Sequence, residues 1–122
     1  MAEQVAQQFT EFYYKTFDSN RAGLAGLYRD HSMMTWESSP FMGSKAIVEK
    51  LSALPFQRIQ HIVKTTDAQP SDEAGTSIVV LVTGELLFDE ETNPMKFSQT
   101  FQLRPEGGSY YVFNDLFRLN YG

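Results

Sequence analysis

The chain has 122 residues, 42% of them hydrophobic and 20% charged, with ten Lys and Arg against fifteen Asp and Glu for a formal charge of −5. That length suits one self-sufficient domain spanning residues 1–122, and ten Phe, six Tyr and one Trp exclude a disordered acidic tail, which would lack the apolar surface to offset chain entropy. The absence of cysteine excludes disulfides, thiolate catalysis and a cysteine zinc site.

Scattered basic residues in an acidic chain offer no electrostatic footprint for phosphate backbones, so no nucleic-acid partner is expected. The longest apolar run, Ile78 to Val82, is far below the roughly 18–20 residues of a membrane-spanning helix, so no membrane insertion is expected.

In chain order, Val5, Phe9, Phe12, Tyr13 and Phe17 recur at helical spacing and predict an amphipathic first helix with those residues facing the core. Asp18-Ser19-Asn20 then offers both a stop and a new cap, and Leu24, Leu27 and Tyr28 predict a short second helix weakened by Gly23 and Gly26. His31 follows Asp30 at the end of that helix, and His31 to Glu37 read as a strand followed by a turn and a short extended piece bracketed by Pro40 and Gly43. Ser44 caps a third helix carrying Ile47, Leu51 and Leu54 on one face, and Pro55 ends it because it lacks the amide hydrogen and clashes with the preceding turn.

Everything beyond residue 56 reads as strand. Phe56 to Thr66 is β-compatible, Pro70 to Gly75 is a polar turn, and Thr76 to Phe88 is rich in β-branched residues with a central run apolar on both faces, as a central strand would be. Met95, Phe97, Phe101 and Leu103 share one face of the next strand, and Tyr111, Phe113, Phe117 and Leu119 share one face of the last, after the Pro105-Glu106-Gly107-Gly108 turn. Helices first and a meander second predict an α+β fold with three helices covering one face of a curved antiparallel sheet.

The chain contains no phosphate-binding glycine loop, dinucleotide fingerprint, zinc-protease helix motif, nucleophile elbow or calcium loop, so no catalytic residue, metal or cofactor is expected. His31 and His61 are the two imidazoles; a lone strand histidine such as His61 reads first as a packing residue or a backbone hydrogen-bond partner.

Trp36-Glu37 has two readings. As a binding hot spot, a rigid indole provides contact area while the carboxylate catches a basic side chain; alternatively Trp36 anchors the core and Glu37 is a solvated turn residue. Asp89-Glu90-Glu91 is either a docking point for a basic partner or an acidic hairpin tip that discourages edge pairing. Asp115 has the parity of Phe113 and Phe117, so it is either satisfied by hydrogen bonds in the core or a site residue. The phenylalanines at regular spacing, Phe9, Phe12, Phe97 and Phe101, read as core, and Leu116-Phe117 as one wall of a pocket at the open end of the sheet.

Several stretches taken together resemble one family across residues 5–121. They are Phe12-Tyr13-Tyr14 through Phe17-Asp18, Thr35-Trp36-Glu37, Ile47-Val48-Glu49-Lys50-Leu51, Leu54-Pro55-Phe56-Gln57 with Ile59-Gln60-His61, Asp89-Glu90-Glu91, and Asn114-Asp115-Leu116-Phe117-Arg118-Leu119. The sequence is similar to the nuclear transport factor 2 family, carriers that import the small GTPase Ran in its GDP form.

The resemblance implies a cone-shaped fold of three helices on a strongly bent antiparallel sheet, a homodimer through the sheets and no enzymatic role. It also implies a location in cytoplasm and nucleus with enrichment at the nuclear envelope and pores. It makes Trp36, Leu54, Ile59, Leu116 and Phe117 the cavity that receives a switch II phenylalanine of Ran, and Glu37, Asp89 and Glu91 the rim carboxylates that meet its basic residues. Family members also bind Phe-x-Phe-Gly repeats of nucleoporins through an aromatic ahead of the position of Phe9. This chain departs there, and Met1, Ala2 and Val5 are the residues available to rebuild that site.

A rival class is a small-molecule isomerase or dehydratase that uses the cone interior, with Glu37, His61 and Asp115 as its acid/base set.

Overall fold

A computed structural model describes residues 2–89 and 93–120. The chain opens with helix α1 (Ala2–Ser19), followed by a 3₁₀ helix (Arg21–Leu27), strands β1 (Tyr28–Trp36) and β2 (Ser39–Met42), helix α2 (Ser44–Ser52), and strands β3 (Ile59–Pro70), β4 (Ile78–Phe88), β5 (Met95–Glu106) and β6 (Ser109–Leu119).

The helices follow the apolar spacing with adjustments: α2 stops at Ser52, which leaves Leu54 in the connection beyond it, and its N-cap position is Gly43 rather than Ser44. The buried sector of α1 is Ala6, Phe9, Thr10, Tyr13, Tyr14 and Phe17, whereas Phe12 is exposed. The axis of that sector runs through Ala6, Tyr13 and Phe17, so Phe12 lies with Val5 beyond its edge, and Tyr14 turns inward where its hydroxyl donates to Gln99 Oε1 at 2.8 Å. The second predicted helix is a 3₁₀ helix, in keeping with the two glycines. It ends before Tyr28, so His31 lies inside β1 rather than at a helix end.

All six strands form one sheet in the order β2-β1-β6-β5-β4-β3. It is mixed rather than antiparallel. The meander β3 to β6 is antiparallel as expected, but β6 returns alongside β1 in parallel, pairing Met34 with Asp115 and Trp36 with Phe117. More than half of the chain separates these two strands, and a long connection is what a parallel pair requires. β4 has partners on both sides, and β3, at the edge, runs through to Pro70, where a missing amide costs the ladder little.

Two irregularities shape the sheet. In β6 the register shifts opposite Gln102 and Leu103, so Val112 faces inward before the bulge and Asp115 and Phe117 after it. Phe113 and Tyr111 consequently do not share the face of Phe117. They lie on the outer side, with the Arg104 guanidinium 3.7 Å from the Phe113 ring centre and His31 Nε2 2.8 Å from the Tyr111 hydroxyl. In β3 a second shift falls between Val63 and Thr65, opposite Gly84. A Cβ on Gly84 would lie 2.3 Å from the Ile62 carbonyl oxygen, so only glycine permits this approach of the two backbones.

The core fills the space between the helices and the inner face of the sheet, joining Tyr13 and Phe17 of α1, Leu24, Ile47 and Leu51 to Val80, Val82, Phe97, Phe101 and Leu103 of the sheet. The outer face stays uncovered in the monomer. Leu81, Thr100 and Leu116 form a row across β4, β5 and β6, with both leucines exposed.

Candidate functional site

β1, β4 and β6 finish at one edge of the sheet, where β3 and β5 start, and that edge gathers most of the singled-out residues. Trp36 ends β1 and stacks on Phe117 of β6 at 4.0 Å and 6° between planes. Phe17 lies 6.4 Å from the indole and Phe97 5.6 Å from Phe117, and the His61 ring, 4.7 Å from Phe17 and 5.5 Å from Phe97, closes the aromatic cluster. Leu54, in the connection after α2, and Ile59, the first residue of β3, belong to the same cluster.

Trp36 is 8% exposed, Leu54 9%, Ile59 7% and Phe117 2%, so the apolar wall is assembled and nearly closed. It reaches the surface beside Phe17 and Ile59, where a depression of about 310 Å³ is lined also by Asp18, Asn20, Arg21 and Gln57. A neighbouring one of about 570 Å³ runs from Asp18 and Ile59 to Leu87 and Asp89.

Leu116 is not part of this wall. Successive strand residues point to opposite faces, so with Phe117 inside, Leu116 stands on the outer face, 53% exposed.

The two described rim carboxylates emerge at the same edge, each in a left-handed backbone conformation. Glu37 (φ 50°) and Ser38 (φ 80°) form the two-residue turn between β1 and β2, matching the twist a tight hairpin needs. The half-buried Glu37 carboxylate accepts the Leu119 N–H through Oε1, and the Glu37 N–H donates to the Phe117 carbonyl at 3.1 Å, fixing the turn to the end of β6.

Asp89 (φ 52°) follows β4. Its Oδ1 accepts the N–H groups of Gln57 at 2.9 Å and Arg58 at 3.1 Å, and its own N–H donates to the Arg58 carbonyl at 2.8 Å. Each carboxylate thus spends one oxygen on backbone. Glu91 and Met1 lie outside the described residues. Ala2 and Val5 pack partly buried against the flank of the core, near a groove of about 410 Å³ between α1 and β3 lined by Glu3, Ala6, Thr10, Val63 and Ala68.

His61 and Asp115 are both buried, with separate partners. His61 Nδ1 lies 2.6 Å from Asp18 Oδ1, its backbone N–H donates to Asp18 Oδ2 at 2.9 Å, and its ring packs on Tyr14 and Phe17. Asp115 is fully buried between α1 and the sheet. Its Oδ2 accepts the hydroxyls of Tyr28 at 2.7 Å and Tyr13 at 3.2 Å, and its Oδ1 accepts Gln99 Nε2 at 2.8 Å.

Burial pushes the Asp115 carboxyl up to about 6 against the opposing pull of those three donors. Burial first, and the adjacent carboxylate second, push the Tyr13 and Tyr28 hydroxyls well above the usual tyrosine range. Glu37, His61 and Asp115 therefore do not form one acid/base set: each is bound to a different group. Among the described residues no three His, Asp or Glu side chains cluster to hold a metal, and no helix is long and apolar enough to cross a membrane.

Sequence reasoning missed Asp18 as the partner of His61, and Arg21, whose guanidinium donates to the Leu51 carbonyl at 3.1 Å and the Phe56 carbonyl at 2.6 Å. Both stand at the end of α1, where the only local signal is a polar stretch that also reads as a cap.

Helices over the inner face of a bent six-stranded sheet, with an aromatic-walled end, define a cone-type α+β class that includes enzymes. A hexachlorocyclohexane dehydrochlorinase superposes with a TM-score of 0.82 over 98% of this chain and 85% of its own, but at 13% identity it shares the fold alone. The model of the nuclear transport factor 2 (NTF2) domain matches residues 5–119, and the chain belongs to that family.

It is 64% identical over 120 residues to nuclear transport factor 2 of Emericella nidulans, covering 98% of this chain and 95% of that one. It also superposes with a TM-score of 0.90 on the nuclear transport factor 2 structure from Cryptosporidium parvum, at 47% identity over 97% of this chain and 94% of that one. These relatives are transport factors, and the chain is a member of a carrier family rather than an enzyme.

Proposed function

We propose that this protein is a nuclear import carrier for the small GTPase Ran in its GDP form. The observation that carries the reading is that Glu37 and Asp89 flank one edge of the sheet where Trp36, Phe117, Leu54 and Ile59 form an apolar wall. In this reading a switch II phenylalanine of the partner enters beside Ile59. Full burial of such a ring contributes about 1.5–3 kcal/mol, and the free oxygens of the rim carboxylates select the basic residues around it. Selectivity for GDP follows because the γ-phosphate repositions switch II and withdraws the ring.

Two further parts of the reading have their own support. The exposed Leu81 and Leu116, which flank Thr100 on the uncovered outer face, suit a homodimer through the sheets, and Leu116 serves there rather than in the cavity. Weak binding of Phe-x-Phe-Gly nucleoporin repeats near Ala2 and Val5 would allow multivalent passage through pores, with the protein moving between cytoplasm and nucleus and enriched at the nuclear envelope.

Calorimetric titration of the wild type and of Glu37→Lys with GDP-loaded Ran tests the reading. Binding by the wild type and loss of heat with Glu37→Lys is the expected result; wild-type protein that does not bind overturns it.

A further inference from the structure

The cavity wall depends on a segment with no regular structure. Residues 53–58 connect α2 to β3 and carry Leu54, which is buried, although its neighbours Ala53, Pro55, Gln57 and Arg58 are all exposed. Hydrophobic burial of one leucine does not define the path of six residues, and each residue ordered costs backbone entropy.

Tethers at both ends hold the segment. At the first end, Arg21 reaches from the 3₁₀ helix and donates Nη1 to the Leu51 carbonyl and Nη2 to the Phe56 carbonyl, bracketing Leu54 with one planar fork. Among the described residues no carboxylate lies within ion-pair distance of Arg21, so its charge is directed at backbone dipoles. At the second end, Asp89 Oδ1 accepts two successive N–H groups, Gln57 and Arg58, and Phe56 packs on Phe88 at 4.7 Å.

We propose that Arg21 is a positioning residue for partner binding, and that Asp89 has two separable roles, a neutral one as tether of the 53–58 segment and a charged one toward the partner. The inference rests on the carrier reading above. It adds that the cavity wall at Leu54 is set by Arg21, which lines the depression beside Ile59, while Asp89 lines the neighbouring one. Mobility of this segment would leave the apolar wall in several conformations, only some of which admit a ring. The apparent affinity falls by the fraction of chains in the competent one.

The test compares Arg21→Met, Arg21→Lys, Asp89→Asn and Asp89→Ala in the full chain by calorimetry with GDP-loaded Ran. Thermal melting and amide hydrogen exchange at Gln57 and Arg58 are measured on the same free proteins. Arg21→Met is expected to weaken binding by about tenfold, the equivalent of one charge-assisted hydrogen bond, and to speed exchange in the segment, with partial rescue by Arg21→Lys.

Asp89→Asn keeps an acceptor oxygen, so exchange stays slow while affinity and its salt dependence fall. Asp89→Ala loses both. Wild-type affinity in a folded Arg21→Met overturns this inference and leaves the carrier reading standing, as does identical behaviour of Asp89→Asn and Asp89→Ala in exchange. A wild type that binds no GDP-loaded Ran overturns both.

Discussion

A carboxyl buried without a countercharge makes stability depend on pH in an unusual direction, and Asp115 provides the case. Its pKa rises from 3.8 to about 6 on folding, because burial outweighs the donors Tyr13, Tyr28 and Gln99. A raised carboxyl is a group whose full stabilising share is present below the unfolded pKa and is lost as pH climbs through the folded one. Between pH 3.8 and about 6 the folded chain holds a proton that the unfolded chain has released, so the contribution of Asp115 falls by at most about 1.4 kcal/mol per pH unit, or about 3 kcal/mol in all.

The perturbation is Asp115→Asn, which keeps the shape and one acceptor oxygen while removing the titration. Urea unfolding of both proteins at fixed concentration, from pH 4 to 7, isolates this group in the difference between them, since the other carboxylates are common to both. The wild type should lose about 2.4 kcal/mol relative to the variant across that interval, since pH 4 already lies just above the unfolded pKa. A difference that stays constant with pH would refute the reasoning, because it would mean that Asp115 has the same pKa folded and unfolded.

Other consequences follow from single contacts. Tyr28→Phe removes the shorter of the two hydroxyl donors to Asp115 Oδ2 and should cost about 1.5–3 kcal/mol at pH 7 and less at pH 4, where the carboxyl is neutral, as read by urea unfolding. Gly84→Ala sets a methyl against the Ile62 carbonyl and should destabilise by about 1–3 kcal/mol, seen as a lower midpoint with an unchanged slope. Leu116→Glu should shift sedimentation to the monomer while leaving the circular dichroism of the fold intact, since the side chain lies on the exposed outer face; a dimer that survives would remove the outer face from the account.

Local periodicity made the helices legible, because Phe9, Tyr13 and Phe17 or Ile47 and Leu51 need only their own spacing to reveal a buried stripe. It failed where burial is decided at a distance. Phe12 differs from its neighbours by a small rotation about the helix, and only the docked sheet shows where the buried sector ends. The parallel pairing of β1 with β6 has no local signal, and the bulge at Phe113 reverses a parity that reads as regular from the letters alone.

The site follows the same division. Trp36 and Glu37 stand out by type and setting, and Trp36 anchors the core, as one of its two readings has it. Leu116 adjoins Phe117, and strand alternation alone sets the two on opposite faces of β6. Asp18, Arg21 and the tethering half of Asp89 are polar residues whose partners lie 30 or more positions away, so nothing in their own neighbourhood points to them.

Central to the proposed function is recognition of one nucleotide state of Ran by the aromatic-walled edge. Calorimetric titration of the wild type with Ran loaded with GDP, and in parallel with a non-hydrolysable GTP analogue, measures that recognition directly. Binding to the GDP form alone is the predicted result. Equal binding to both forms would contradict the switch II mechanism, and binding to neither would contradict the assignment of Ran as the cargo.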